Sequence, residues 1–252
     1  MACGNADESV PEHGRHPGRT DMPATCVCEG ASLRDAMSQD IDRYVAAAER
    51  DGLSGTLARL RVPLSLKVWA VGNYRLSHWF LNRVRPRVLG RVLGGLSFIG
   101  QRMLSAVTGL EINPHAHLGP GLMIPHDGFI VIGPVRVGRH CTLSHNVTIG
   151  QGLQGDGPAH DDTPVLGDRV WVGPGAVIAG PIQVGSDASV GANSVLLRDV
   201  PPRGVVLGVP ARLLSHKGSF TQIYYRGMND DPDRRLSLEA PVPGSEGAAG
   251  GS

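Results

Sequence analysis

Histidine is the side chain whose proton affinity lies closest to neutral pH, which makes it the first place to look for a general base. Between residues 112 and 207 the chain carries His115, His117, His126, His140, His145 and His160. His126 stands in Pro125-His126-Asp127-Gly128, where an otherwise regular spacing of aliphatic residues slips by one, so its ring is expected to project into a cleft. His145, in Ser144-His-Asn-Val-Thr148, is a second candidate base. His160 lies in an excursion over residues 151–163 that also carries Gly152, Gly155, Gly157, Asp161 and Asp162. Polar loops thrown out from regular structure commonly form binding faces. A solvated surface position is the alternative for each of these rings. No metal is called for, because Cys26-Val-Cys28 has no second Cys/His pair at zinc-site spacing.

The element that must position these side chains is a six-residue rhythm running from about Ile112 to Leu207. It reads as Leu118-Gly-Pro-Gly, Val137-Gly-Arg-His, Leu166-Gly-Asp-Arg, Val172-Gly-Pro-Gly, Val184-Gly-Ser-Asp and Val190-Gly-Ala-Asn. Hexapeptide repeats build a parallel β-helix, each unit forming one face of a coil, with the aliphatic side chains stacked inward as a continuous column. Glycine beside each aliphatic residue is expected to permit tight corners. The excursion after Ile149 inserts about 11 extra residues before Leu166 restores the pattern.

Ahead of the repeats, residues 32–110 predict a small helical domain. Ser32 reads as an N-cap with Asp35 in the first turn, and Leu33, Met37, Ile41, Tyr44 and Ala48 follow at helical spacing before Gly52. Two more helices are expected near 63–84 and 86–107, each opened by a proline in its first turn. From Ser54 to Leu110 there is no Asp or Glu, against Arg59, Arg61, Lys67, Arg75, Arg83, Arg85, Arg87, Arg91 and Arg102. This stretch is read as a solvated face, or as one that steers anions or rests weakly on an anionic membrane.

The 252 residues, 41% hydrophobic and 4% aromatic with 35 glycines, suit a core of small aliphatics. A net charge of +1 argues against general nucleic-acid binding. The absence of an uncharged apolar run of spanning length argues against a transmembrane helix. Residues 1–31 read as a disordered leader without signal-peptide character, and 215–252 as a largely flexible tail in which 215–233 forms a short ordered segment. Cys3, Cys26 and Cys28 lie in that leader and Cys141 at a small-residue repeat position, which fits a reducing cytoplasm.

Several blocks make residues 32–214 resemble the serine O-acetyltransferase family. They are Tyr74-Arg-Leu-Ser-His-Trp79, Glu111-Ile-Asn-Pro114, Gly121-Leu-Met-Ile-Pro-His126, Val147-Thr-Ile-Gly150 and DVPPRGVVLGVPAR at 199–212. The resemblance implies an α+β solenoid: an N-terminal helical domain (32–110), then a left-handed parallel β-helix of hexapeptide repeats (111–214) with an inserted loop at 151–163. It implies transfer of acetyl from the co-substrate acetyl-CoA to the hydroxyl of L-serine in cysteine biosynthesis, with no tightly bound cofactor. It places the catalytic base on His126 and its orienting carboxylate on Glu111, where the family has Asp. It places serine contacts at Asp51 and in the loop, with His160, Thr163 and His145 as substrate-binding candidates, and CoA contacts at Gly173, Gly191, Ala192 and Arg212. It implies a homotrimer or hexamer.

The departures bear on the acceptor. The family's Asp-His is Pro125-His126 here, its Asp-Pro is Asp51-Gly52, and its Arg-His-Pro reads Asp162-Thr163-Pro164. Asp162 inverts the charge that would grip a carboxylate, and His160 is a conjectured substitute for the missing imidazole. The alternatives are therefore O-acetylation of a sugar, glycan or natural-product hydroxyl, and a non-catalytic solenoid scaffold. The chain ends Gly-Ala-Ala-Gly-Gly-Ser, so no sulfhydrylase complex through a C-terminal Ile is expected.

Overall fold

The computed structural model describes residues 31–152 and 162–241. The leader, the centre of the inserted loop with His160 and Asp161, and the chain beyond 241 lie outside the described residues. The chain opens with α1 (Leu33–Arg50), α2 (Gly55–Arg61), a 3₁₀ turn (Val62–Leu64), α3 (Leu66–Arg83) and α4 (Arg87–Thr108). Ser32 caps α1, its hydroxyl accepting from the Asp35 N–H at 3.1 Å. The prolines act differently from expectation. Pro63 sits in the 3₁₀ turn, Ser65 is the N-cap of α3, and Pro86 is the N-cap of α4 rather than a first-turn residue. Helix α2 had no counterpart in the sequence reading, since its seven residues are too few to establish a period.

From Leu110 the chain circulates through three parallel sheets. The first stacks β1 (Leu110–Ile112), β3 (Ile130–Ile132), β6 (Thr148–Gly150), β9 (Val177–Ala179) and β12 (Val195–Leu196). The second stacks β2 (His117–Leu118), β4 (Arg136–Val137), β7 (Val165–Leu166) and β10 (Gln183–Val184). The third stacks β5 (Thr142–Leu143), β8 (Trp171–Val172), β11 (Ser189–Val190) and β13 (Val205–Gly208), and is closed by the antiparallel β14 (Ala211–Ser215). The registers align the buried aliphatics into three inner columns. They are Ile112-Ile132-Ile149-Ile178-Leu196, Leu118-Val137-Leu166-Val184 and Leu143-Val172-Val190-Val206. Fully burying one such side chain contributes about 1.5–3 kcal/mol.

The glycine that follows each aliphatic residue has a cause other than the corner itself. A Cβ on Gly119, Gly138 or Gly167 would stand 2.5–2.6 Å from backbone atoms of the next coil, so these glycines permit close stacking of successive coils. The left-handed corner positions are filled by Gly121, His140, Arg169, Asp187 and Arg203 at one corner and by Asn146, Gly175 and Asn193 at another, with φ of 54–74°.

The helices close the open end of the coil. Asp40 Oδ1 accepts from the Leu122 N–H (2.8 Å), the Tyr44 hydroxyl from the Ile124 N–H (3.0 Å), and Arg43 donates to the carbonyls of Gly121 and Cys141 (2.7 and 2.9 Å). The Tyr74–Trp79 block does the same beside it. Tyr74 donates to the Ala116 carbonyl at 2.6 Å, and Arg75 donates to the carbonyls of Leu118 and Gly119 while pairing with Asp40 at 3.0 Å. These contacts satisfy a sheet edge that would otherwise be buried unpaired.

The tail packs back on the coil ahead of α5 (Pro232–Glu239), over the stretch read from the sequence as a short ordered segment. Gly218 and Ser219 donate backbone N–H groups to the corner carbonyls of Arg203 and Asp187, and Tyr225 stacks on His140 with 3.9 Å between ring centroids. Among the described residues no helix is long and apolar enough to cross a membrane.

Candidate active site

His126 follows the short pairing of Met123 with Thr142 and precedes β3, so it stands at the corner where the third sheet turns into the first. His145 occupies the same corner one coil on, between β5 and β6. The two rings meet edge to face with centroids 5.6 Å apart. His126 is exposed; His145 is half-buried, and its Nδ1 is buried without a hydrogen-bond partner. Gly128 brings them together, since with φ of 148° it passes over His145 at a distance where an added Cβ would lie 2.8 Å from the His145 Cβ.

The loop carrying His126 is held from the helical side. Lys67 on α3 donates to the Pro125 carbonyl at 2.7 Å and lies 3.7 Å from Asp127 Oδ1. The sequence reading counted Lys67 only among the cations of the helical stretch. Its place on the Pro125–Asp127 turn is tertiary and leaves no local signal.

Glu111 projects outward from β1 on the first sheet, and its Oε1 accepts from Arg102 Nη1 at 2.9 Å. Among the described residues no hydrogen bond joins Glu111 to His126, so the expected dyad is not formed in the isolated chain. Glu111 pairs in register with Val131, on the strand that follows the His126 turn. Phe129 and Val131 expose apolar surface on the same outer face.

The remaining candidates divide by corner. Gly173, Gly191 and Ala192 continue the His126–His145 corner down successive coils; Gly173 is buried and Ala192 exposed. Arg212 lies on β14, opposite Leu207 of β13, at the far end of the third sheet. Thr163 is buried just before β7, at the other edge of the first sheet, with its hydroxyl 3.4 Å from the Pro134 carbonyl. Asp162 beside it has a buried Oδ2 without a hydrogen-bond partner. Asp51 is exposed at the C-cap of α1. The structure therefore groups His126, His145, Gly173, Gly191 and Ala192 along one corner, and leaves Arg212 on the third sheet and Thr163 at another corner. Among the described residues no group of three or more His, Cys, Asp or Glu side chains could hold a metal ion.

The family described as bacterial transferase hexapeptide (six repeats) matches residues 163–198. The chain is 37% identical over 170 residues to a serine acetyltransferase of Mycobacterium tuberculosis, covering 67% of this chain and 69% of that protein. The chain belongs to the serine acetyltransferase family. A second serine acetyltransferase, from Helicobacter pylori, is 38% identical over 143 residues, covering 56% of this chain and 77% of its own length. Against the Synechococcus elongatus relative, 40% identical over 146 residues, the match covers 58% of this chain and 55% of that protein. Among solved structures, the soybean serine acetyltransferase complexed with serine superposes with a TM-score of 0.59 at 33% identity, covering 73% of this chain and 70% of that one.

The Tyr74–Trp79 block closes the coil, while His126 is exposed at a corner with a second imidazole beside it. Cys141, buried with its Sγ 3.2 Å from the Gly167 carbonyl, is a core thiol whose pKa burial pushes up to about 12.

Proposed function

We propose that this protein is an acetyl-CoA-dependent serine O-acetyltransferase with His126 as general base. The observation that carries the reading is His126 itself: exposed on a corner, on a turn held by Lys67, with the His145 ring 5.6 Å away. His126 removes the proton from the acceptor hydroxyl as that oxygen attacks the thioester carbonyl, so a free alkoxide never forms. When the tetrahedral intermediate collapses, the protonated imidazole returns the proton to the departing thiolate. Glu111 serves as the orienting carboxylate by exchanging Arg102 for His126.

The coil is read as a left-handed β-helix, and the working unit as at least a trimer. What supports assembly is the split of the site: His126 and Thr163 stand at opposite edges of the first sheet, and a second copy packed on that face would bring one to the other. Phe129, 79% exposed beside His126, belongs on such an interface. Acetyl-CoA lies along the corner from His145 to Ala192, its phosphates toward Arg212.

The test is thiol release from acetyl-CoA with L-serine, L-homoserine, simple sugars or no acceptor. Serine-dependent release is expected, together with its loss by about 10²–10⁴-fold in His126→Ala while the oligomer is retained. Release driven by a sugar and not by serine would reject the acceptor. Substantial turnover in His126→Ala would move the base to His145.

A further inference from the structure

A cavity of about 680 Å³ opens between the start of α1, the end of α3, the start of α4 and β2. It belongs to the second sheet and the helices, not to the His126 corner. Arg85, Arg87 and Arg91 line it beside His78, His117 and Trp79, and no Asp or Glu among the described residues does. Among the described residues no carboxylate pairs with Arg85, Arg87 or Arg91. Arg75 in the same wall differs, since Asp40 already compensates it.

Two further features point the same way. Helix α4, 22 residues long, begins here with Pro86 as N-cap and no side chain capping it, so the positive end of its dipole adds to the charge of Arg87 and Arg91 in its first turns. The rings are arranged rather than scattered, with His78 and His117 edge to face at 5.2 Å and the His78 Nδ1 3.1 Å from the Pro114 carbonyl. Uncompensated guanidinium groups gathered around a concavity repel one another, and an anion relieves that repulsion. The guanidinium fork matches the oxygens of phosphate, and a free helix N-terminus binds the same group.

We propose that this cavity binds a small anion carrying two or more phosphate groups, at a site separate from the acetyl-transfer centre. Three arginines exceed what one phosphate needs, and the Trp79 and histidine rings offer flat surface to a base or sugar attached to it.

The test is calorimetric titration of the full chain with inorganic pyrophosphate at fixed ionic strength, without serine or acetyl-CoA, so that it stands apart from the catalytic reading. Saturable one-site binding is expected, weakened at least tenfold in R85Q/R87Q and unchanged in R59Q, which alters a cation of α2 outside the cavity. Burial, with Arg75 and other nearby cations, holds the His78 pKa below its usual value, so bound anion should raise it in an NMR titration. ADP in place of pyrophosphate separates the sources: tighter ADP binding assigns the rings a nucleobase, and equal binding assigns phosphate alone. If circular dichroism shows R85Q/R87Q misfolded, R91Q carries the comparison. Absence of binding at millimolar pyrophosphate, or binding that the arginine substitutions leave intact, overturns the proposal.

Discussion

Lys67 donates a 2.7 Å hydrogen bond to the carbonyl of Pro125, the residue immediately before His126. One helical side chain therefore fixes the turn that carries the proposed base, and its ammonium also lies 3.7 Å from Asp127 on the other side. Catalytic rates fall steeply when a reacting group is displaced by an ångström. Lys67→Met keeps the length of the side chain and removes the donor. It should lower kcat about tenfold with KM for acetyl-CoA within twofold, and Lys67→Arg should recover part of the rate. Steady-state kinetics decide it, and an unchanged kcat would leave Lys67 as a surface ion pair only.

Glu111 has two possible partners, and the structure pairs it with Arg102. If it orients His126 during turnover, Arg102 competes with that task. Arg102→Gln should then leave kcat equal or higher, whereas Glu111→Gln should lower it by at least tenfold and alter the acid limb of the pH–rate profile. Glu111→Asp should restore much of the rate. Equal kcat for Glu111→Gln and the parent enzyme would confine Glu111 to anchoring α4.

The core of the coil was legible because its cause is local: an inward aliphatic every six residues repeats in Leu118, Val137, Leu166 and Val184, and each falls in register. Glycine at a tight corner holds for Gly121 and Gly175, whereas Gly119, Gly138 and Gly167 answer to backbone crowding between coils, which cannot be inferred from one coil's sequence. His126 was found as a break in the rhythm. Lys67 and the Arg102–Glu111 pair were not, because contacts between the helices and the coil join residues far apart in the chain or across a domain boundary. The tail reads as a short ordered segment over 215–233, but its docking on the coil has no sequence signal for a related reason. Gly218 and Ser219 are ordinary loop residues until the corner carbonyls of Arg203 and Asp187 need donors.

Arg75 and Asp40 form a buried pair that also satisfies the carbonyls of Leu118 and Gly119 and the N–H of Leu122. Removing the cation alone strands a carboxylate and two carbonyls away from water. Arg75→Met should cost about 3–5 kcal/mol of stability. Adding Asp40→Asn should recover part of that loss, because the stranded charge is gone while the Leu122 N–H keeps an acceptor. Urea denaturation of the two variants measures both steps, and a double variant no more stable than Arg75→Met alone would mean that the carbonyls, not the charge, dominate.

His140 ties the tail to the coil by stacking on Tyr225, and its pKa is lowered to about 4, first by burial and then by the nearby Arg43 and Arg139, with Asp231 opposing. Its Nδ1 is buried without a partner. The unfolded chain takes up this proton near the ordinary value of about 6.5, while the folded chain resists it until about pH 4. Protonation thus favours the unfolded state across that interval. The contribution is complete above pH 6.5 and is lost as pH falls toward 4, reaching on the order of 3 kcal/mol. His140→Asn tolerates the left-handed backbone at φ 56° and abolishes the titration, at the expense of the stack. The variant should be less stable than the parent at pH 7 and show a shallower decline between pH 6.5 and 4 in urea unfolding at fixed protein concentration. Parallel decline in both proteins would mean that another group controls acid stability.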